Sequence, residues 1–164
     1  MKTVKRKVLV IAVALMAVAM LALPISVVSA TKPTTMTLSG TIYILGEGTG
    51  SIFVAGESGN NLLKFRDVPV LWTGDIAGSG VYNANWLDKG GDMVVDVAVG
   101  THVLEDVTID GVGTGDLSIG HNHFGWDYFI KSGTGDLSSI RGKGTLTMVN
   151  PVEYDYELEV QINP

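Results

Sequence analysis

The chain has no cysteine. Disulfide staples, thiol nucleophiles and a lipid anchor on cysteine are therefore excluded, and stability must rest on a packed apolar core. Helical periodicity is also missing. Beyond residue 35 no ten-residue segment places apolar residues at i, i+3 and i+4, so long amphipathic helices are not expected. Long apolar runs are confined to the first thirty residues, and nothing after them approaches a membrane-spanning length. Cations are scarce outside that segment. It holds four of the eleven Lys and Arg residues and no acid, so its loss leaves seven cations against seventeen acids, a net charge near −10. That balance excludes the clustered cations nucleic acid needs and disfavours an anionic membrane surface. The acids are scattered, as suits a solvated surface.

The first segment reads as an export signal. Lys2, Lys5, Arg6 and Lys7 precede a sixteen-residue apolar run from Val8 to Leu23, and Val28 and Ala30 are small enough for the −3 and −1 positions of a cleavage site. Cleavage after Ala30 is expected, giving a signal peptide over 1–30, a domain over 31–164 and an extracytoplasmic location. An uncleaved N-terminal anchor is the alternative. The remaining length supports one domain.

That domain alternates at period two. Tyr154, Tyr156, Leu158, Val160 and Ile162 share one parity, while Glu153, Asp155, Glu157, Glu159 and Gln161 share the other, so a final strand has one core face and one wet face. Met36, Leu38, Ile42 and Ile44 form a first strand with Gly40 on its apolar face, where a bend or a close neighbour is expected. Met93, Val95, Val97 and Val99 are in register, as are Val103, Glu105, Val107 and Ile109. Shorter candidates are 51–55, 62–65, 68–72, 81–86, 126–131 and 144–149. Nine or ten short strands punctuated by 21 glycines predict an all-β fold. A single antiparallel barrel of about eight strands leaves no open edge and is preferred to a jelly roll or β-sandwich.

Gly113-Thr114-Gly115-Asp116-Leu117-Ser118 recurs as Gly133-Thr134-Gly135-Asp136-Leu137-Ser138. The twenty-residue spacing excludes tandem calcium-binding nonapeptides and predicts two equivalent turns. The second copy continues as Ser139-Ile140-Arg141-Gly142-Lys143-Gly144. This segment resembles the late Gly-Thr-Gly-rich stretch of the allene oxide cyclase-like barrel superfamily, which includes plant allene oxide cyclases, dirigent proteins and a bacterial domain family of unknown function. Trp72-Thr73-Gly74-Asp75-Ile76-Ala77-Gly78-Ser79-Gly80 resembles an early stretch of the bacterial family. The resemblance spans about Val70 to Ile162 and implies an eight-stranded antiparallel barrel with a partly apolar interior. It makes a homo-oligomer conceivable and brings no catalytic residue that matches position by position.

Candidates for chemistry are few. His121 and His123 would share one face of a strand, where two imidazoles can hold a divalent metal. Asp127 and His102 are candidate further ligands. The same stretch resembles the first cupin motif with Asp in place of Glu, but no histidine follows His123 to complete a second motif. The structural alternative is a turn at 120–125 with exposed imidazoles. Asp96 and Glu105 form only a chance carboxylate pair, and no serine has a nucleophile-elbow context. Trp72, Trp86, Trp126 and Tyr128, with Tyr82 and Phe129, either line a ligand pocket or fill the core. With no complete catalytic set, the expectation is a non-enzymatic binder of a small apolar ligand or a partner protein. A cupin-like metal enzyme and cyclase- or dirigent-like chemistry are the alternatives.

Overall fold

A computed structural model describes residues 32–55, 60–88, 97–122 and 127–163. The chain divides after Ala30 into two units. The first, with the expected signal and its cleavage site, lies outside the described residues, as do His123, Trp126 and the Met93–Asp96 part of an expected strand.

The described residues form β1 (Thr34–Ile44), β2 (Thr49–Ala55), β3 (Asn60–Gly74), β4 (Ile76–Asp88), β5 (Val97–Ile109), β6 (Gly113–Asn122), β7 (Asp127–Gly133), β8 (Ile140–Asn150) and β9 (Glu153–Ile162). Their order in the sheet is β1-β9-β8-β7-β6-β5-β4-β3-β2, and β1 also pairs with β3. That extra pairing closes eight antiparallel strands into a barrel, with β2 added on the outer flank of β3. The inward positions are mostly apolar because an interior solvates polar groups poorly, and Asp88, His102 and His121 are buried polar exceptions. Leu38, Ile42, Val70, Trp72, Ile76, Leu104, Ile109, Leu117, Ile119, Leu158 and Val160 are all within 1 % of full burial.

Closure depends on a glycine seam. Gly40 of β1 pairs with Gly74 of β3. A Cβ on Gly40 would overlap the Thr73 carbonyl oxygen and lie 2.6 Å from Tyr156 Oη. The close neighbour expected at Gly40 is thus the barrel's closing strand. Tyr156 of β9 accepts the Ile76 amide proton at 2.9 Å and donates to the Thr73 carbonyl at 3.1 Å, so one buried hydroxyl satisfies both sides of the β3–β4 turn. Asp75, in that turn, accepts the Ser39 amide proton at 2.8 Å and returns its own amide to the Ser39 carbonyl.

Two of the register shifts in the wall fall at non-glycine residues with positive φ. Asp67 (φ 52°) marks a register shift in β3, and Asp106 (φ 51°) one in β5. The first lets β3 pair with β2 below residue 67 and with β1 above it. Segments 62–65 and 68–72 are therefore one bent strand. The second bulge reverses parity along β5. Val99 and Val103 face outward, 48 % and 41 % exposed, while Ala98, His102, Leu104, Val107 and Ile109 face inward. The expected single register through Val103, Val107 and Ile109 is thus broken, because one extra residue on β5 flips every side chain beyond it.

The two Gly-Thr-Gly-Asp copies are not equivalent turns. The first opens β6, whereas the second ends β7 and enters a short 3-10 helix, Gly135–Leu137. They brace each other: the Asp136 carboxylate accepts the Thr114 amide proton at 3.1 Å, and the Thr134 hydroxyl accepts the Asp116 amide proton at 2.8 Å. This brace drives Leu137, fully buried, into the barrel end beside the inward face of Ile140.

Candidate functional site

The two barrel ends differ in chemistry. The end bounded by the β3–β4 and β5–β6 turns is filled by Ile76, Ile109, Leu117, Leu137, Ile140 and Val160. Toward the opposite end the inward positions of β4 to β7 carry rings, Tyr82, Trp86, His102, His121 and Tyr128, and Trp72 of β3 reaches His102 from the side of the β3–β4 turn. Strand parity explains the convergence. Tyr82, Ala84 and Trp86 share the inner face of β4, while Gly100 and His102 share that of β5. Tyr82 is opposite His102, and His121 is opposite both Gly100 and Tyr128.

Each tyrosine engages both histidines. Tyr82 stacks on His102, with centroids 4.5 Å apart and planes at 27°, and its hydroxyl lies 2.8 Å from His121 Nε2. Tyr128 stacks on His121, at 5.1 Å and 25°, and its hydroxyl lies 3.4 Å from His102 Nε2. The indoles cap this square. Trp86 Nε1 donates to Tyr82 Oη at 3.1 Å, and Trp72 Nε1 makes a longer bond of 3.4 Å to His102 Nδ1. Trp72, His102, Tyr128 and His121 are buried and Tyr82 nearly so, whereas Trp86 is half-buried and packs against Phe65 at 4.8 Å. One polar atom is left over: buried Nδ1 of His121 has no hydrogen-bond partner among the described residues.

Burial disfavours the charged imidazolium. It lowers His121 to about 4 and, with the neighbouring His121 adding to the effect, His102 to about 3. Burial also raises Tyr82 and Tyr128 above the ordinary phenol value, so the cluster is a neutral network near pH 7.

The structure brings together Trp72, Trp86, Tyr128, His102 and His121 of the expected residues. The reading of 120–125 as a turn with exposed imidazoles fails at its start, since His121 is 2 % exposed and lies on β6. Asp127 is exposed on the parity opposite to Tyr128, so its carboxylate does not share the face of the two histidines. His123 and Trp126, the remaining metal and pocket candidates, lie outside the described residues. Both nitrogens of His102 are engaged, and among the described residues no three His, Asp or Glu side chains form a metal-holding group. Glu105 is exposed on the outside of β5, and Phe129 packs over Gly120 on the outer face of β6.

Sequence reasoning did not single out Gly100. A Cβ there would overlap His121 Nε2 and approach the Tyr82 ring to 2.7 Å. Its absence makes room for the tyrosine–histidine bond. A lone glycine within an apolar strand pattern is the signal that marks such a close approach.

No family model and no curated protein matches the sequence. Among solved structures the chain is similar to a protein of unknown function from the DUF3224 family of Shewanella oneidensis MR-1. The TM-score is 0.52 at 13 % identity, covering 81 % of this chain and 99 % of that one. At that identity the likeness shows the fold alone, an antiparallel eight-stranded β-barrel, and transfers no residue's role.

Proposed function

We propose that this chain is an extracytoplasmic binding barrel, freed of its signal segment after Ala30, that holds a small apolar molecule among the rings at one end. The asymmetry of the interior carries the reading. One end packs aliphatic side chains beneath a surface groove lined by Met36, Val112, Asp136 and Ile162, whereas the other holds Trp86, Tyr82, Tyr128 and His121, with a half-buried indole and a buried imidazole nitrogen that has no partner among the described residues. Aromatic walls with a few placed polar atoms are the usual lining of small-molecule sites. A barrel of eight strands has room for side chains or one small ligand.

The sequence resemblance to allene oxide cyclase-like barrels is compatible with this reading, and placing the chain in that superfamily is part of the proposal. Among the described residues no set supports cyclase or dirigent chemistry in particular, and the proposed role is binding without turnover.

Trp86→Ala tests the site. It removes a half-buried ring while leaving the fully buried core intact. An apolar probe followed by tryptophan fluorescence is expected to bind about tenfold more weakly to the variant, a loss near 1.4 kcal/mol. Equal affinity of both proteins for every apolar probe would refute the assignment. N-terminal sequencing of the exported protein should begin at Thr31; a chain retaining Met1 in the membrane fraction would refute the location.

A further inference from the structure

The direction of the hydrogen bonds inside the ring cluster defines which atom a ligand must supply. An indole nitrogen only donates. Trp86 therefore donates to Tyr82 Oη, and the acceptor within reach of the Tyr82 proton is His121 Nε2, at 2.8 Å. Nε2 then uses its lone pair as acceptor. A neutral imidazole carries its one proton on the other nitrogen, so His121 presents Nδ1–H. That atom is buried and unpartnered among the described residues. By the same logic Trp72 donates to His102 Nδ1, which leaves His102 protonated on Nε2 and donating to Tyr128 Oη. The two histidines hold opposite tautomers.

A buried donor without an acceptor costs about 1–3 kcal/mol. A ligand oxygen that accepts from Nδ1–H removes that cost. A metal ion would need the Nδ1 lone pair instead. The tautomer would then flip, and Tyr82 Oη would accept from both Trp86 and His121 with its own proton unplaced. Charge further narrows the ligand. Arg66 is committed to the Phe65 and Ala84 carbonyls and Asn85, Lys131 to Thr101, and Arg141 to the Ser138 and Ile140 carbonyls. None of these cations reaches the cluster. The carboxyl of Asp88, buried on the same inward parity of β4 as Trp86, accepts a hydrogen bond from Asn61 Nδ2 at 3.2 Å. A carboxylate would enter a poorly solvating site, and Arg66, Lys131 and Arg141 are not placed to compensate it.

We propose that the molecule held at this end is apolar and carries a neutral carbonyl-type oxygen that accepts the Nδ1–H of His121. The inference rests on the binding reading above and specifies its ligand class.

Three small probes of similar shape test it on the purified mature protein: acetophenone, α-methylstyrene, in which CH2 replaces the carbonyl oxygen, and benzoate. Titration followed by NMR should show acetophenone binding at least tenfold more tightly than either of the others. His121→Phe should reduce the preference over α-methylstyrene to near unity. Equal binding of acetophenone and α-methylstyrene would leave the apolar site standing and overturn the carbonyl assignment. Tighter binding of benzoate would overturn the requirement for a neutral acceptor. Binding of none of the three would count against the binding barrel itself and take this inference with it. Because His121→Phe removes a buried hydrogen bond, a second measurement on the unmodified chain stands beside it. Imidazole 15N shifts should show the Nδ1–H tautomer at His121 and the Nε2–H tautomer at His102. The Nε2–H tautomer at His121 overturns the proposal.

Discussion

His102 and His121 enclose imidazoles whose unfolded counterparts take up a proton near pH 6.5. Folded, they are lowered to about 3 and about 4 by burial, so the native state stays neutral where the unfolded chain charges. Their contribution is fully present above pH 6.5. It is lost as pH falls toward 4 for His121 and toward 3 for His102, at about 1.4 kcal/mol per unit for each group. Urea unfolding at pH 7.5, 6 and 5 should show this decline, and His121→Phe should show a shallower one; equal slopes would mean that His121 is not held neutral. Gly100 belongs to the same cluster. Gly100→Ala forces a Cβ onto the Tyr82–His121 pair and should cost about 1–3 kcal/mol by overpacking. It should also perturb the Tyr82 and His121 resonances together. An unchanged midpoint and spectrum would show that the pair has room to spare.

Bulges decide which residues of a strand reach the interior. Asp106 holds φ 51° where β5 slips against β6, and its amide is anchored to the Asp116 carboxylate at 3.3 Å. A β-branched side chain is strained in that region, so Asp106→Val should destabilise by about 1–2 kcal/mol. Asp106→Gly should match or exceed the parent in thermal stability. A tolerated valine would mean that the bulge does not fix the register. The same bulge limited what the sequence could reveal. Alternation named the inner faces of β1 and β9 because those strands run without interruption opposite each other. In β5 it aligned Val103 with Val107, whereas the extra residue at 106 turns Leu104 and His102 inward. Strand β6 escaped notice because glycines occupy 113, 115 and 120, leaving only Leu117 and Ile119 as apolar cues. His102 and His121 were legible as candidates by residue type. Their joining with Tyr82 and Trp86 was not, because it depends on pairing between strands distant in sequence.

At the scale of the whole domain, closure of the barrel is the property on which the site depends. The β1–β3 seam rests on Gly40, Gly74 and the Tyr156 hydroxyl, which burial raises to about 12 and which stays protonated as both donor and acceptor. Tyr156→Phe leaves the Ile76 amide without its acceptor in a buried place. It should cost about 1–3 kcal/mol and speed hydrogen exchange at Ile76 and along the β1–β3 ladder first. Exchange that rises uniformly would show that the hydroxyl does not hold the seam. The closed wall leaves an interior with two unlike ends, and the central claim is that only the ring-lined end receives a ligand. NMR shift mapping on the mature protein titrated with acetophenone tests that most directly. Perturbations are expected to concentrate on Trp86, Tyr82, His121 and Tyr128, with Leu137 and Ile140 unmoved. Perturbations centred on Leu137 and Ile140, spread over the outer wall, or absent at saturating probe would contradict it.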